Sequence, residues 1–213
     1  MRGLWNVLAC AAGAALALGG SACGDSGSTD GGNGGGGGGD GTGGSTTSTS
    51  SGGDAQTPPQ GGTAVEAWLA KGDYKNWTCE AAVHEARSPS PHGFNRICSN
   101  DVIAGAATGT DDWPEGAAAV KELYASATDA DPVGYAVYLK LDADSAGGSN
   151  WYWYERVPDD STAPHDANGV VADGPGSSGP AQTICVGCHA GAGSDTAHTP
   201  SPGGRDQVYT PVH

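Results

Sequence analysis

The run Ile184-Cys185-Val186-Gly187-Cys188-His189 constrains this chain more than any other stretch. It reads Cys-x-x-Cys-His, the attachment signature of a c-type haem. The spacing serves the chemistry. Cys185 and Cys188 would form thioethers with the two vinyl groups of one haem c per chain, and His189 would become the proximal ligand of its iron. Two other readings use the same residues. A structural zinc site would need a fourth ligand beside Cys185, Cys188 and His189, and His198 is the only nearby candidate. A thioredoxin-like redox pair would need a βαβ pattern around it, and none is legible. The chain has one methionine, Met1, inside a segment expected to be removed. A His/Met electron carrier is therefore excluded; the sixth position holds His, Lys or a weaker ligand, or stays open to a small molecule.

Residues 1–22 read as a secretion signal: Arg2, an apolar run from Leu4 to Leu18, then small residues up to Cys23. The run is too short for a convincing membrane span. A cysteine at the cleavage boundary points to a lipidated Cys23 and a bacterial envelope lipoprotein, periplasmic or at the outer membrane. The lipobox pattern favours Leu three residues before the Cys, whereas Leu18 lies five before it, so plain secretion is the alternative. Cys10 leaves with the signal. Residues 23–62 are mostly Gly, Ser, Thr and Asp with no aromatic residue, and include the run Gly34 to Gly39. Such a segment cannot bury a core; it reads as a tether with a reach of ~35 Å.

The folded domain is expected over 63–213. Thr63 and Glu66 form a capping box, Val65, Trp68 and Leu69 share one helical face, and Gly72 is a natural stop. A second helix is expected from Trp77 to Ala86, ended by Ser88-Pro89-Ser90-Pro91. Cys79 and Cys98 remain unassigned, and in an exported protein they most simply pair as a disulfide, worth about 3 kcal/mol in the chain-entropy model. Phe94 to Cys98 reads as a short strand. Local propensity favours helix in the alanine-rich part of Trp113 to Tyr124. Gly134 to Leu141 and Trp151 to Val157 alternate with period two, and the polar loop Asp142 to Asn150 joins them as an antiparallel hairpin. Trp151, Trp153 and Glu155 share one face, with Tyr152, Tyr154 and Arg156 on the other. Asp159 to Pro180 is rich in Gly, Pro and Asp and reads as irregular surface. The haem motif falls on a short helix near Gln182 to His189, and Arg205 to Tyr209 adds a final short strand.

The formal net charge is −15, from 24 acidic and 9 basic side chains. That balance excludes nucleic acid as a partner. It suits a soluble extracytoplasmic domain and would favour a basic redox partner protein.

Taken in order, these motifs resemble the cytochrome P460 family, which includes the β-type cytochromes c-prime. Pro91-His92-Gly93 with Arg96 and Asn100, and Trp113-Pro114-Glu115-Gly116 through Val120-Lys121-Glu122, carry the first half of the likeness. Gly134-Tyr135-Ala136-Val137 with Lys140, Asn150-Trp151-Tyr152, and the haem motif with Asp206-Gln207-Val208-Tyr209 carry the second. The resemblance implies an α+β fold: mainly an antiparallel β-sheet with a few short helices, the haem near the C-terminus, often as a homodimer. It also implies that Ala117 to Tyr124 is a strand despite its alanines. In P460 proteins the lysine matching Lys121 bonds covalently to the haem edge and enables hydroxylamine oxidation; in relatives it is present without that bond. An ordinary lysine, snorkelling or paired with a carboxylate, is the other reading of Lys121. Glu155, on the hairpin, is the candidate base. His92 and Phe94 are candidates for the distal pocket, and the hairpin aromatics are core or haem-packing residues.

The expected function is therefore binding or oxidation of a small nitrogen-oxide species such as hydroxylamine or nitric oxide. The membrane is met only through a lipid anchor. The alternative is a non-enzymatic gas-binding or electron-transfer module.

Overall fold

A computed structural model describes residues 57–87, 90–106, 111–192 and 204–213. The signal, Cys23, nearly all of the tether and His198 lie outside the described residues. Among those described, no helix is long and apolar enough to cross a membrane.

The period-two stretches form the centre of one antiparallel sheet. Its strands are β1 (Thr78–Cys79), β2 (His84–Glu85), β3 (Phe94–Ser99), β4 (Ala118–Tyr124), β5 (Gly134–Lys140), β6 (Trp151–Arg156) and β7 (Val170–Pro175). The order is β1-β3-β4-β5-β6-β7, with β2 also on β3. The α+β reading is thus correct.

Side chains alternate across a strand, so the sheet has two distinct faces. One buries Val120, Val137, Tyr152 and Tyr154 against helix α1 (Gly62–Lys71), which contributes Val65, Trp68 and Leu69. Full burial of such side chains stabilises by ~1.5–3 kcal/mol each, which places a helix too short to persist alone. The other face carries Ile97, Ala119, Trp151 and Trp153 and packs against the C-terminal segment. That segment begins with a π-helical turn, Ala181–Val186, which runs into a last α turn, Gly187–His189.

Several sequence expectations need correction. Thr63 does not cap α1: Gly61 is the N-cap and no side chain of the helix closes it. Instead the Gly61 N–H donates to the Tyr152 hydroxyl at 2.9 Å and the Gly62 N–H to Asp173 at 2.7 Å. Glu66 turns to the sheet, accepting from the Tyr154 hydroxyl and from Arg156 Nε. Gly72 does end the helix, in the left-handed conformation at φ 74°. The second helix does not form. Trp77 to Ala86 becomes a 3₁₀ exit and two short strands, because β3 pairs with both ends of it and Cys79 lies opposite Cys98. Those two cysteines form the expected disulfide.

Ala118–Tyr124 is a strand, as the resemblance implied and against local propensity. Ala117, Ala118 and Ala119 are buried, and the row Ala119–Tyr138–Trp153 explains the small side chain: it leaves room for the aromatics on β5 and β6. The stretch read as irregular, Asp159 to Pro180, contains β7, and the expected last strand shrinks to a single bridge between Arg205 and Val208.

Candidate functional site

The second face of the sheet opens into a cleft between β4, β5, β6 and the C-terminal turn. It is partly open to solvent. Leu123, Val157, Val171 and Ile184 make much of its wall apolar. Its floor follows from register. Lys121, Ala136 and Glu155 are consecutive partners across β4, β5 and β6, so the lysine and glutamate are two strand spacings apart, about 10 Å at the backbone. Ala136, between them, contributes only a methyl group. His92, on the loop before β3, joins the same wall, and its Nδ1 lies 3.4 Å from Glu155 Oε1.

The haem motif closes the other side. Cys185, Cys188 and His189 all line the cleft. Neither cysteine is in a disulfide; Cys185 is buried and Cys188 half-buried. His189 stands among aromatic rings, 4.7 Å from Trp153, 5.5 Å from Tyr209 and 6.3 Å from Tyr138, centroid to centroid. Its Nδ1 donates to the Gln207 carbonyl at 2.6 Å. That bond leaves the lone pair on Nε2, the tautomer a metal ligand needs.

Burial and charge set the protonation of the polar groups. Burial lowers the Lys121 ammonium to about 8, although Glu155 opposes the shift. Burial, then the Lys121 charge, holds His92 below its ordinary value. Burial pushes Glu155 up, but His92 and Lys121 together outweigh it and leave the carboxyl below its usual range. Burial also raises the Cys185 thiol well above the ordinary value, which is the wrong direction for a redox-active thiolate.

These residues fit a covalently attached haem. Two thiols and a histidine on consecutive helical turns meet a largely apolar cleft, and the histidine already has its outer hydrogen bond. Trp153, which lines the cleft, also carries a buried indole N–H with no protein acceptor. Among the described residues no group of three or more His, Cys, Asp or Glu is placed to hold a metal ion, and His198 lies outside them.

The structure therefore gathers Lys121, Glu155, His92, Cys185, Cys188 and His189 around one cleft. Phe94 is not among them. It shares a strand face with Arg96 and Cys98, which belong to the α1 side. The sequence reading missed Arg87 at one end of the cleft and the Gln207 carbonyl behind His189. Arg87 gives no pattern signal, and a backbone acceptor has none to give.

No curated protein and no solved structure matches the chain significantly. A family model described as Cytochrome P460 matches residues 71–210, more than half of the chain and the whole of the cleft. Membership implies a c-type haem, for which the cleft has the donors. The chain belongs to the cytochrome P460 family.

Proposed function

We propose that this chain is an extracytoplasmic, c-type mono-haem protein that binds or oxidises small nitrogen-oxide species such as hydroxylamine or nitric oxide. One observation carries the reading: Lys121, His92 and Glu155 share a cleft with the Cys185-x-x-Cys188-His189 motif. Cys185 and Cys188 would hold the haem and His189 its iron. A haem attached there would supply iron to bind the small molecule and a sink for its electrons. Glu155 is a carboxylate at neutral pH and can accept the protons that an N–O–H substrate must release. His92, kept neutral, fixes one of its oxygens. The apolar walls limit water around the reacting group. Lys121 would bond to the haem edge as in P460 proteins, an N–H and a haem C–H giving way to a C–N bond while a peroxide-class oxidant takes up the two electrons and two protons. Its lowered pKa supports this, because it brings the nucleophilic neutral amine close to physiological pH.

The test is the intact mass and ferrous spectrum of protein made in a strain that matures cytochromes c. One covalent haem, less the hydrogens lost to a further bond, with a red-shifted Soret band, is expected. Lys121→Ala should keep the haem, lose the shift and lose hydroxylamine turnover. Haem mass with an ordinary c-type spectrum and no turnover would favour the gas-binding or electron-transfer module. No covalent haem would overturn both.

A further inference from the structure

His189 takes its orientation from a turn outside the haem motif. Arg205 and Val208 close that turn with reciprocal backbone bonds of 2.9 and 2.8 Å. Its central residues, Asp206 and Gln207, both have positive φ, 42° and 70°. Residues other than glycine rarely adopt this conformation unless their surroundings enforce it. Here the surroundings are specific. The Asp206 carboxylate accepts from Lys140 Nζ at 2.5 Å, from the Trp113 backbone N–H at 2.8 Å and from the Trp151 indole at 3.4 Å. The Trp113 indole donates to the Arg205 carbonyl at 3.1 Å, and the Arg205 guanidinium stacks 3.8 Å over the Trp113 ring.

Lys140 is an unusual resident of this core. Its side chain is fully buried, and Asp206 is 4% exposed. A buried ion pair is a poor way to add stability, since an apolar pair of similar volume does as well or better. What the pair does achieve is local: it fixes the one turn whose carbonyl meets His189 Nδ1.

We propose that the buried Lys140–Asp206 pair positions the proximal histidine and sets its strength as an iron ligand. Both residues act through the Gln207 carbonyl and touch neither the haem nor the substrate. The inference rests on His189 being the ligand that would hold the haem iron. A firm acceptor at Nδ1 gives the imidazole more anionic character, makes Nε2 a stronger donor and favours ferric over ferrous iron. A loosened turn would weaken that bond and reverse each effect.

The experiment uses the full-length holoprotein and Asp206→Asn, which removes the charge and keeps an oxygen for the Trp113 N–H. Three quantities are read: covalent haem per chain, the ferrous iron–histidine stretching frequency by resonance Raman, and the reduction potential. The haem should stay attached, the frequency should shift down and the potential up. Lys140→Met should move both in the same direction, and Lys140→Arg, which preserves the pair, should restore values close to the parent's. Variants that bear haem and lose stability while the iron–histidine line stays in place would overturn the proposal. If Asp206→Asn does not accumulate, Trp113→Phe removes the indole bond to the Arg205 carbonyl and keeps an aromatic ring beside the Arg205 guanidinium. A smaller shift of the same sign supports the proposal, and an unmoved line overturns it. A parent protein without covalent haem, or without an iron–histidine line, would overturn the haem reading and this inference with it. Failure in the variants alone overturns only the positioning role.

Discussion

Glu122 shows what one residue contributes on the side of the sheet away from the cleft. Its side chain is fully buried and accepts from Arg96 Nε at 2.7 Å, the Tyr74 hydroxyl at 2.7 Å and the Tyr124 hydroxyl at 2.8 Å. Burial alone would raise its pKa, but Arg96 and the two phenols outweigh it and the net shift is downward. A carboxyl lowered in the folded state adds stability that is present above its unfolded pKa and is lost as pH falls through the folded one. The protein should therefore lose stability as pH drops below about 4.5. Glu122→Gln should cost about 2–3 kcal/mol at neutral pH, the scale of hydrogen bonds to a charged group, and flatten that acid loss. Denaturant unfolding of both proteins between pH 7 and 3 decides it; parallel curves would remove Glu122 from the acid response. Single residues were also where sequence reasoning strayed most. Thr63 and Glu66 match a capping box, yet Glu66 finds Tyr154 and Arg156, both about 90 positions away in the chain. A local pattern cannot register a partner that distant.

At the scale of elements, legibility followed the strength of the local period. β5 and β6 alternate cleanly and appear where the alternation placed them. The segment from Trp77 to Ala86 has helical propensity, but β3 and a disulfide claim it at both ends. β7 was hidden because its two β-favouring residues, Val170 and Val171, stand among glycines, prolines and aspartates. The same disulfide controls one wall of the cleft. It closes a loop of sequence separation 19 that carries Arg87 and His92. Within the loop, Glu80 accepts from Arg87 at 2.7 Å and from the Ile97 N–H at 2.9 Å, and meets His84 at 2.9 Å. Cys79→Ala/Cys98→Ala should lose about 3 kcal/mol, or roughly 6–12 °C in Tm for a domain of this size. It should also loosen His92 from Glu155. Calorimetry gives the first quantity. Faster nitric oxide dissociation from the ferrous protein would report the second; an unchanged rate would mean that Glu80 and its partners hold the wall without the disulfide.

At the scale of the whole molecule, one sheet divides two unlike interiors. The α1 side is filled by the chain itself: Val65, Trp68, Leu69, Tyr74 and Trp77 meet Val120, Val137 and Tyr154. The other side is filled only in part, and its remaining space is the cleft. The fold class was legible because strand alternation and the family likeness agreed. This division was not, because it depends on which strand face each helix covers. It has a thermodynamic consequence. A cofactor that binds the folded chain stabilises it, and most strongly the elements it touches. Haem-free protein, made without cytochrome c maturation, should keep slow amide exchange in α1 and in β3 to β6. Protection should fall chiefly in 181–192 and 204–213, where the motif and the turn behind His189 have the cleft on one side. Hydrogen exchange read by mass spectrometry on the two forms measures this directly. Loss spread evenly over both faces would mean that the α1 core also depends on the haem, and that the chain does not hold its sheet without it. Loss confined to the C-terminal segments would mean that the sheet stands without haem and offers the motif a ready surface.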